Sequence, residues 1–483
     1  MAEGFTVREK DGSGQVIATY STHTGHKHTT SLPPRKPVAK TNAGRHWRRL
    51  LSDVFLPEGY PFTVSSDYLQ YQIWNAVQAF CSSLAGLFAS RAVLQGHGVG
   101  NASASATDAI FLTILQDVFS RLTTIVSGYY LGTSLYPEAK TYRLLADILN
   151  DAAMVTDTLS PHLAHFSFSF SYPFVVPASN SSLRVVALCM SGAFRALCGA
   201  VAGGSKAALT VHFATAGERP GDVGDLSAKD GSKETVLALL GMLSGSVVLR
   251  YVHTAQATYV VLFGLIFCHL AANLIAVRVI AMRAFNRQRA SIAWCEFRRS
   301  FDDEGNTTAT PVVPDYLRVS RQERIFTDSA RIPISQHARG TYAHCALGVS
   351  FLSLSGREPF SDEQIATLLE VFAHEKYILW PASNPPQIAV VLKDGHGPHD
   401  HLKAWAHAHE IANICDRESH AHGFNECLVA IRYALENVSQ MFPLFLRAAQ
   451  EVGWKTEEGV LVGGSPITVT IGDAEVLEDK KDI

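Results

Sequence analysis

The sequence predicts a mainly α-helical protein: a polytopic helical membrane bundle followed by a small soluble α+β C-terminal domain. Three observations carry this. First, Gln256–Ile280 (QATYVVLFGLIFCHLAANLIAVRVI) holds no acid and one arginine, Arg278, near its end. About 20 apolar residues at about 1.5 Å each cross a hydrocarbon core of about 30 Å. Second, Thr235 to Cys295 contains no Asp or Glu, while Arg278, Arg283, Arg287 and Arg289 close or follow the run. An apolar span closed by arginines is held with that end on the cytosolic side. Third, the composition turns soluble from about Ser291. A buried helix of a large soluble core is the competing reading of the run, and its surroundings favour the membrane.

The 483 residues leave room for two or three domains. Hydrophobic residues make up 47% and charged residues 18%, mild for a polytopic protein, so the apolar residues must be concentrated in part of the chain. A net charge of -3 gives no electrostatic case for nucleic acid. The eight cysteines form no CxxC pair, which indicates neither a disulfide framework nor a zinc site. The first fifty residues lack the apolar core of a cleavable signal peptide.

Residues 1–45, rich in Gly, Ser, Thr and His, read as a disordered basic tail, with an organelle-targeting segment and a cytosolic flank of the first span as its alternatives. LPEGYP (Leu56–Pro61) is a turn. A helical pattern then runs from about Ser66 to Leu94, and its polar or small positions Tyr71, Asn75, Gln78, Ser82 and Gly86 recur at three- and four-residue spacing. Such a stripe faces neighbouring helices or a cavity, because lipid offers amides no partner. GHGVGN (Gly96–Asn101) lacks both the spacing and the preceding strand of a nucleotide fingerprint.

Ala109–Leu131 is a second apolar helix, with Asp117 and Arg121 four apart as a helix tie or part of a polar pathway. Pro137–Leu159 is amphipathic, and one side carries Arg143, Asp147, Asn150, Asp151 and Met154. Leu183–Gly204 is apolar again, with Arg195 inside and Gly199/Gly203 at GxxxG spacing for close helix approach. Glu218–Lys233 reads as a polar loop with Ser232 as N-cap of the next helix. Lys229, Ser232 and Lys233 there suit either a cap or a phosphate at a helix N-terminus.

Basic flanks before Tyr71 and after Ile280 place both ends of the bundle on one side, the cytosolic side by the charge rule. That requires an even number of crossings: four (about 70–94, 109–131, 183–204 and 256–280), with Thr235–Tyr251 re-entrant, or six. The boundaries read as a tail over 1–45, a membrane domain over 46–290, a linker over 291–343 and the soluble domain over 344–483. In that last part Ser361–Phe372, His401–Ile414 and Asn425–Ala449 read as helices, the last as one or two. Gln387–Lys393 and Gly459–Ile471 read as strands. His396, His399, His401, His407, His409, His420 and His422 crowd one region and read as surface or adventitious metal-binding side chains. His409-Glu410 lacks the second His of HExxH, so no zinc-hydrolase site is expected.

Several motifs, in order, resemble the root-UVB-sensitive (RUS) family. They are LPEGYP, DYLQYQIW (Asp67–Trp74), SSLAG (Ser82–Gly86), AVLQGHGVGNASA (Ala92–Ala104), RLLADILNDAAM (Arg143–Met154), AALTVHFA (Ala207–Ala214) and SAKDGSKET (Ser227–Thr235). FAHEKYILW, VVLKDG, LKAWAHA and FPLFLRAAQEVGWKTE follow in the C-terminal part. The resemblance covers about 55–290 and, more loosely, 344–456. Asn75 and Tyr142 stand where the family pattern carries Asp and Trp, so no carboxylate role transfers to position 75. The resemblance implies an integral membrane protein without established enzymatic activity, with plant relatives tied to UV-B responses and vitamin B6 homeostasis and acting as pairs.

Two functions follow as expectations, and no enzyme: no Ser/His/Asp, Cys/His or metal constellation stands at a usable spacing. The first is homeostasis or transport of a small solute, with Asn75, Gln78, Asp117, Arg121, Arg143, Asp147, Asn150, Asp151, Lys229, Ser232 and Lys233 as ligand-binding candidates. No cofactor or metal is expected, and pyridoxal phosphate is the candidate ligand. The second is a membrane-anchored scaffold that recruits a protein through its C-terminal domain. Beyond the lipid bilayer, the expected partner is another RUS-family member or a second copy. The organelle is not specified.

Overall fold

The structure is a computed structural model. It describes residues 6–10, 16–23, 26–31, 54–97, 106–132, 135–165, 182–302, 312–333, 342–355, 359–383, 386–417, 423–459, 461–464 and 466–472. Most of the glycine loop (98–101), the aromatic link after His165, the linker over 303–311, and His420 and His422 lie outside the described residues. The chain divides into two compact units: Met1–Leu131 with Tyr142–Ile280, and Gly132–Thr141 with Ala281–Ile483.

The expected disorder over 1–45 is corrected in part. β1 (Thr6–Lys10), β2 (Val16–His23) and β3 (His26–Ser31) form an antiparallel meander, with Tyr20 opposite Val7 and Thr29. The β-branched run of VIATYSTH suits extended pairing, and the polar composition around it masked the signal.

Among the described residues, six α-helices lie wholly or mainly in the first unit: α1 (Tyr68–Gly96), α2 (Ala106–Leu131), α3 (Ala139–Leu159), α4 (Ser182–Thr215), α5 (Val223–Val248) and α6 (Ala255–Val279). Among the described residues, four segments are long and apolar enough to cross a membrane, within α1, α2, α4 and α6: Tyr68–Gly96, Ala109–Leu131, Leu183–Thr215 and Ala255–Val279. Their positions match the four expected from sequence, and Leu183–Thr215 runs about three turns further than expected.

α5 overturns the loop expected over Glu218–Lys233. Its N-cap is Asp222, whose carboxylate accepts from the Gly224 and Asp225 amides at 2.7 and 3.3 Å. Ser232 therefore lies inside the helix, donating to the Ala228 carbonyl at 3.0 Å, and Lys229, Ser232 and Lys233 flank no helix N-terminus. Thr235–Val248 is the second half of α5 and not a re-entrant segment. The polar residues misled because one edge of this helix packs against polar side chains of α1.

Close approach falls at other glycines than expected. A Cβ on Gly199 or Gly203 would meet nothing within 4 Å. A Cβ on Gly241 would lie 2.7 Å from Ser83 Cβ and 3.1 Å from the Phe80 carbonyl, so this glycine is what lets α5 lie against α1.

The second unit continues with α7 (Arg287–Asp302), α8 (Tyr316–Gln322), α9 (Asp362–Val371), α10 (Pro398–Arg417) and α11 (Phe424–Glu451). Its strands are β4 (Arg331–Pro333), β5 (Tyr342–Leu347), β6 (Tyr377–Ser383), β7 (Pro386–Lys393) and β8 (Thr468–Val469). Residues 291–343, expected as a linker, thus include most of α7, all of α8 and β4, and a strand partner. Trp294, Phe297 and Val319 are buried in the core of this unit. The amphipathic pattern of α7 was hidden by its four arginines, whose aliphatic stems cover apolar surface. α11 is one helix despite Pro443 within it.

The sheet order is β4-β5-β7-β6, with β8 also pairing with β7. β7 runs parallel to β5 (Cys345 opposite Ile388) and antiparallel to β6 (Leu379 opposite Val390). A central strand covered on both faces reads as an unbroken apolar run, here IAVVL, and Val390, Val391 and Leu392 are fully buried. α9 starts on a capping box, Ser361 with Gln364.

Glu323 is buried between Lys140 Nζ at 2.6 Å and Arg289 Nε at 3.1 Å. Burial alone would raise its carboxyl, but the two cations outweigh burial and hold it at about 2.

The histidine-rich region is not the surface feature expected. His401, His407 and His409 are buried. His407 lies 3.2 Å from both the Tyr377 hydroxyl and the Ile431 carbonyl, and His409 Nε2 is 2.9 Å from Ser291 Oγ. Burial pushes His407 and His409 down to about 3. Free imidazoles protonate near pH 6.5, so between that pH and about 3 the unfolded chain binds more protons than the folded one. Stability of this unit should therefore fall as pH drops below about 6.5. The denaturant midpoint read by near-UV circular dichroism should track this decline, and His409→Asn should flatten it. An unchanged slope would remove His409 from the account.

A buried polar cluster and cleft in the helical unit

The α1 stripe meets the amphipathic helix α3. Arg143 is central: it donates to Asp147 Oδ1 at 2.9 Å, to Asn75 Oδ1 at 3.2 Å and to Gln78 Oε1 at 3.0 Å. Asp147 also accepts from Gln78 Nε2 at 2.6 Å and from Asn273 Nδ2 at 2.5 Å. Asn273 thus ties α6 to this point, and one turn away His269 Nδ1 lies 2.8 Å from Asp151 Oδ2. Asn150 donates to Ser82 at 3.1 Å. The spacing of three and four along each helix brings these side chains onto facing surfaces.

Four of the sequence candidates, Asn75, Gln78, Arg143 and Asp147, make one hydrogen-bonded cluster, and Asp151 joins it through His269. Asn75, Gln78, Arg143 and Asp147 border a cleft of about 400 Å³, together with Tyr71, Ser82, Lys206 and Glu234. Lys206 and Glu234 pair at 2.7 Å on its wall. Lys233 belongs to a neighbouring group: its ammonium lies 2.7 Å from Asp230, which also accepts from Tyr68 and Gln72, each at 2.9 Å. Lys229 and Ser232 line neither the cleft nor this group among the described contacts. Asp117 and Arg121 pair with each other at 2.7 Å, exposed on α2 and away from the cluster. Arg195 pairs with Asp157.

His269 and Asn273 carry as much of the cluster as the named candidates. Their signal was visible as two polar residues four apart in the most apolar segment, which places them on one face. Lys206, Glu234 and Asp230 gave no such signal, because their roles depend on α5 continuing through a stretch that reads as loop.

Residues 41–300 match the family model for the vitamin B6 photo-protection and homoeostasis domain, more than half of the chain. The chain belongs to the root UVB sensitive family. A second root UVB sensitive model, for the C-terminal part, matches residues 343–463. The chain is 29% identical to the protein root UVB sensitive 3 of Arabidopsis thaliana, over 85% of this chain and 84% of that protein. It is 34% identical to RUS family member 1 of Dictyostelium discoideum, over 51% of this chain and 44% of that protein. No solved structure matches. The cluster lies inside the root UVB sensitive domain as matched.

Removing one partner of a buried ion pair leaves a charge uncompensated and costs about 3–5 kcal/mol. Asp147→Ala should lower the stability of the purified protein by that order, and Asn150→Ala by no more than about 1 kcal/mol. Equal effects in thermal unfolding would mean that Arg143–Asp147 is not the structural centre.

Proposed function

We propose that this member of the root UVB sensitive family is an integral membrane protein whose helical unit binds and handles a small polar solute at the Arg143 cleft. The observation that carries the reading is the cleft itself. Amide, phenol, hydroxyl and cationic groups gather around about 400 Å³ in a unit whose helices are otherwise strongly apolar. Polar groups are costly in a membrane interior and concentrate where a solute or ion passes. Arg143 and Lys206 suit an anionic group, and the Tyr71 ring suits a planar one. A phosphorylated form of vitamin B6, the vitamin that the family description names, combines both. The protein acts without catalysing a reaction on the solute, and the arginines after α6 hold both ends of the bundle on the cytosolic side.

Pyridoxal phosphate binding to the purified protein in liposomes tests this. Lys206→Ala should weaken binding about tenfold, equivalent to about 1.4 kcal/mol, and Lys229→Ala should leave it unchanged. Absence of binding by the folded wild-type protein would sink the reading.

A membrane-anchored scaffold is the second reading, favoured by the outer face of α2. Ile110, Phe111, Val118, Leu122 and Ile125 are exposed there, and so is the Asp117–Arg121 pair in mid-helix. A charged pair at that depth calls for a protein neighbour, a second copy or another family member, for which the pair is self-complementary. Replacing both residues with leucine should change the oligomeric state in detergent. An unchanged state would leave α2 facing lipid alone.

A further inference from the structure

Beneath the cleft, His269 is fully buried between two carboxylates. Its Nδ1 lies 2.8 Å from Asp151 Oδ2, and its Nε2 lies 3.7 Å from Asp147 Oδ2 and 3.1 Å from Gln78 Nε2. Arg143 can only donate, so the oxygen of the Gln78 amide must face the guanidinium, and the amide nitrogen must face Asp147 and the imidazole. One amide hydrogen goes to Asp147 and the other to His269 Nε2. That ring nitrogen is therefore an acceptor, and the ring is neutral with its proton on Nδ1, donated to Asp151.

The charge count is then unbalanced. α3 presents Arg143, Asp147 and Asp151, while α1 presents Tyr71, Gln78 and Cys81. α6 itself adds Cys268 and Asn273, and α4 adds Cys198 and Arg195, the latter taken up by Asp157. On α5, Lys233 is matched by Asp230, and Lys206 of α4 by Glu234. Two carboxylates thus stand against one guanidinium charge, which pairs with Asp147, and Asp151 Oδ1 is buried with no hydrogen-bond partner. An excess negative charge away from water favours uptake of a proton.

A proton on His269 Nε2 would restore neutrality, but it would set two donors against each other at the 3.1 Å contact with Gln78. The Gln78 amide must then turn, withdrawing its oxygen from Arg143 and freeing a guanidinium hydrogen on the cleft wall.

We infer that the Asp147–His269–Asp151 cluster is a proton-binding site, and that proton uptake there releases Arg143 from Gln78 and makes the proton a co-ligand of the cleft. The proton site stands on this geometry alone; the coupling rests on the solute-binding reading above.

The full-length protein, labelled with 15N-histidine in phosphatidylcholine nanodiscs, tests the site by NMR between about pH 5 and pH 9. One ring should pass from the Nδ1–H tautomer to imidazolium, and its signal should be missing in His269→Gln. In Asp151→Asn the transition should be displaced, because the carboxylate that accepts the Nδ1 hydrogen is removed. The Asp151→Asn shift identifies the ring even where His269→Gln does not fold. A His269 ring that stays in one neutral tautomer, or a midpoint unmoved in Asp151→Asn, overturns the inference.

Pyridoxal phosphate titrations over the same range then test the coupling. Affinity with a component at the His269 midpoint, displaced in Asp151→Asn, supports it, and affinity without that component overturns it. Absence of pyridoxal phosphate binding at every pH removes the solute reading and the coupling with it, while the NMR titration still decides the proton site.

Discussion

The Arg143–Asp147 pair is the constraint around which the helical unit is arranged. Both side chains are nearly buried, at 11% and 8% exposure. A pair at that depth survives only if its remaining donors and acceptors are met, since removing charge from water is otherwise too costly. Asn75 and Gln78 of α1 and Asn273 of α6 meet them. The positions of three helices are thereby linked to one pair of charges, and the apolar contacts around them fill space without fixing register. Neighbouring apolar side chains, such as Phe88, Met154 and Leu262, pack as one small cluster between the same helices.

Much of the helical unit was legible because membrane-length apolar runs and three-to-four-residue polar spacing are local signals. The stripe Tyr71, Asn75, Gln78 and Ser82 could be placed on one face, and Arg143, Asp147 and Asp151 on another, before any tertiary information. The meeting of those two faces was not legible. Nor was the course of α5, where Asp222 caps the helix well before Ser232, the cap that composition suggests. A polar sequence reads alike whether it is solvated as a loop or folded against another helix's polar residues, and only the partner distinguishes the two. Gly241 makes the same point: its value lies in Ser83 opposite, which no spacing rule reveals.

In the C-terminal unit the strongest signals, the IAVVL strand and the helices around it, stood out by period and composition. α7 did not, because its arginines hide an apolar stripe ending in Trp294 and Phe297. The histidines misled in the opposite direction. A cluster of imidazoles reads as surface or metal chemistry, yet His407 and His409 are neutral packing groups whose hydrogen bonds tie α10 to β6, α11 and α7. Lys140, Arg289 and Glu323 form a second buried ionic junction in this unit, with two cations on one carboxylate where the cluster around Asp147 has the opposite excess.

The strand order leaves β4 and β6 as the outer strands of the sheet among the described residues, and each carries a proline, Pro333 and Pro381. A proline offers no amide hydrogen to an incoming strand, so both borders discourage a neighbouring chain from continuing the sheet. Copies of such a domain that meet at these borders are thereby left to associate through side chains and not by backbone zippering.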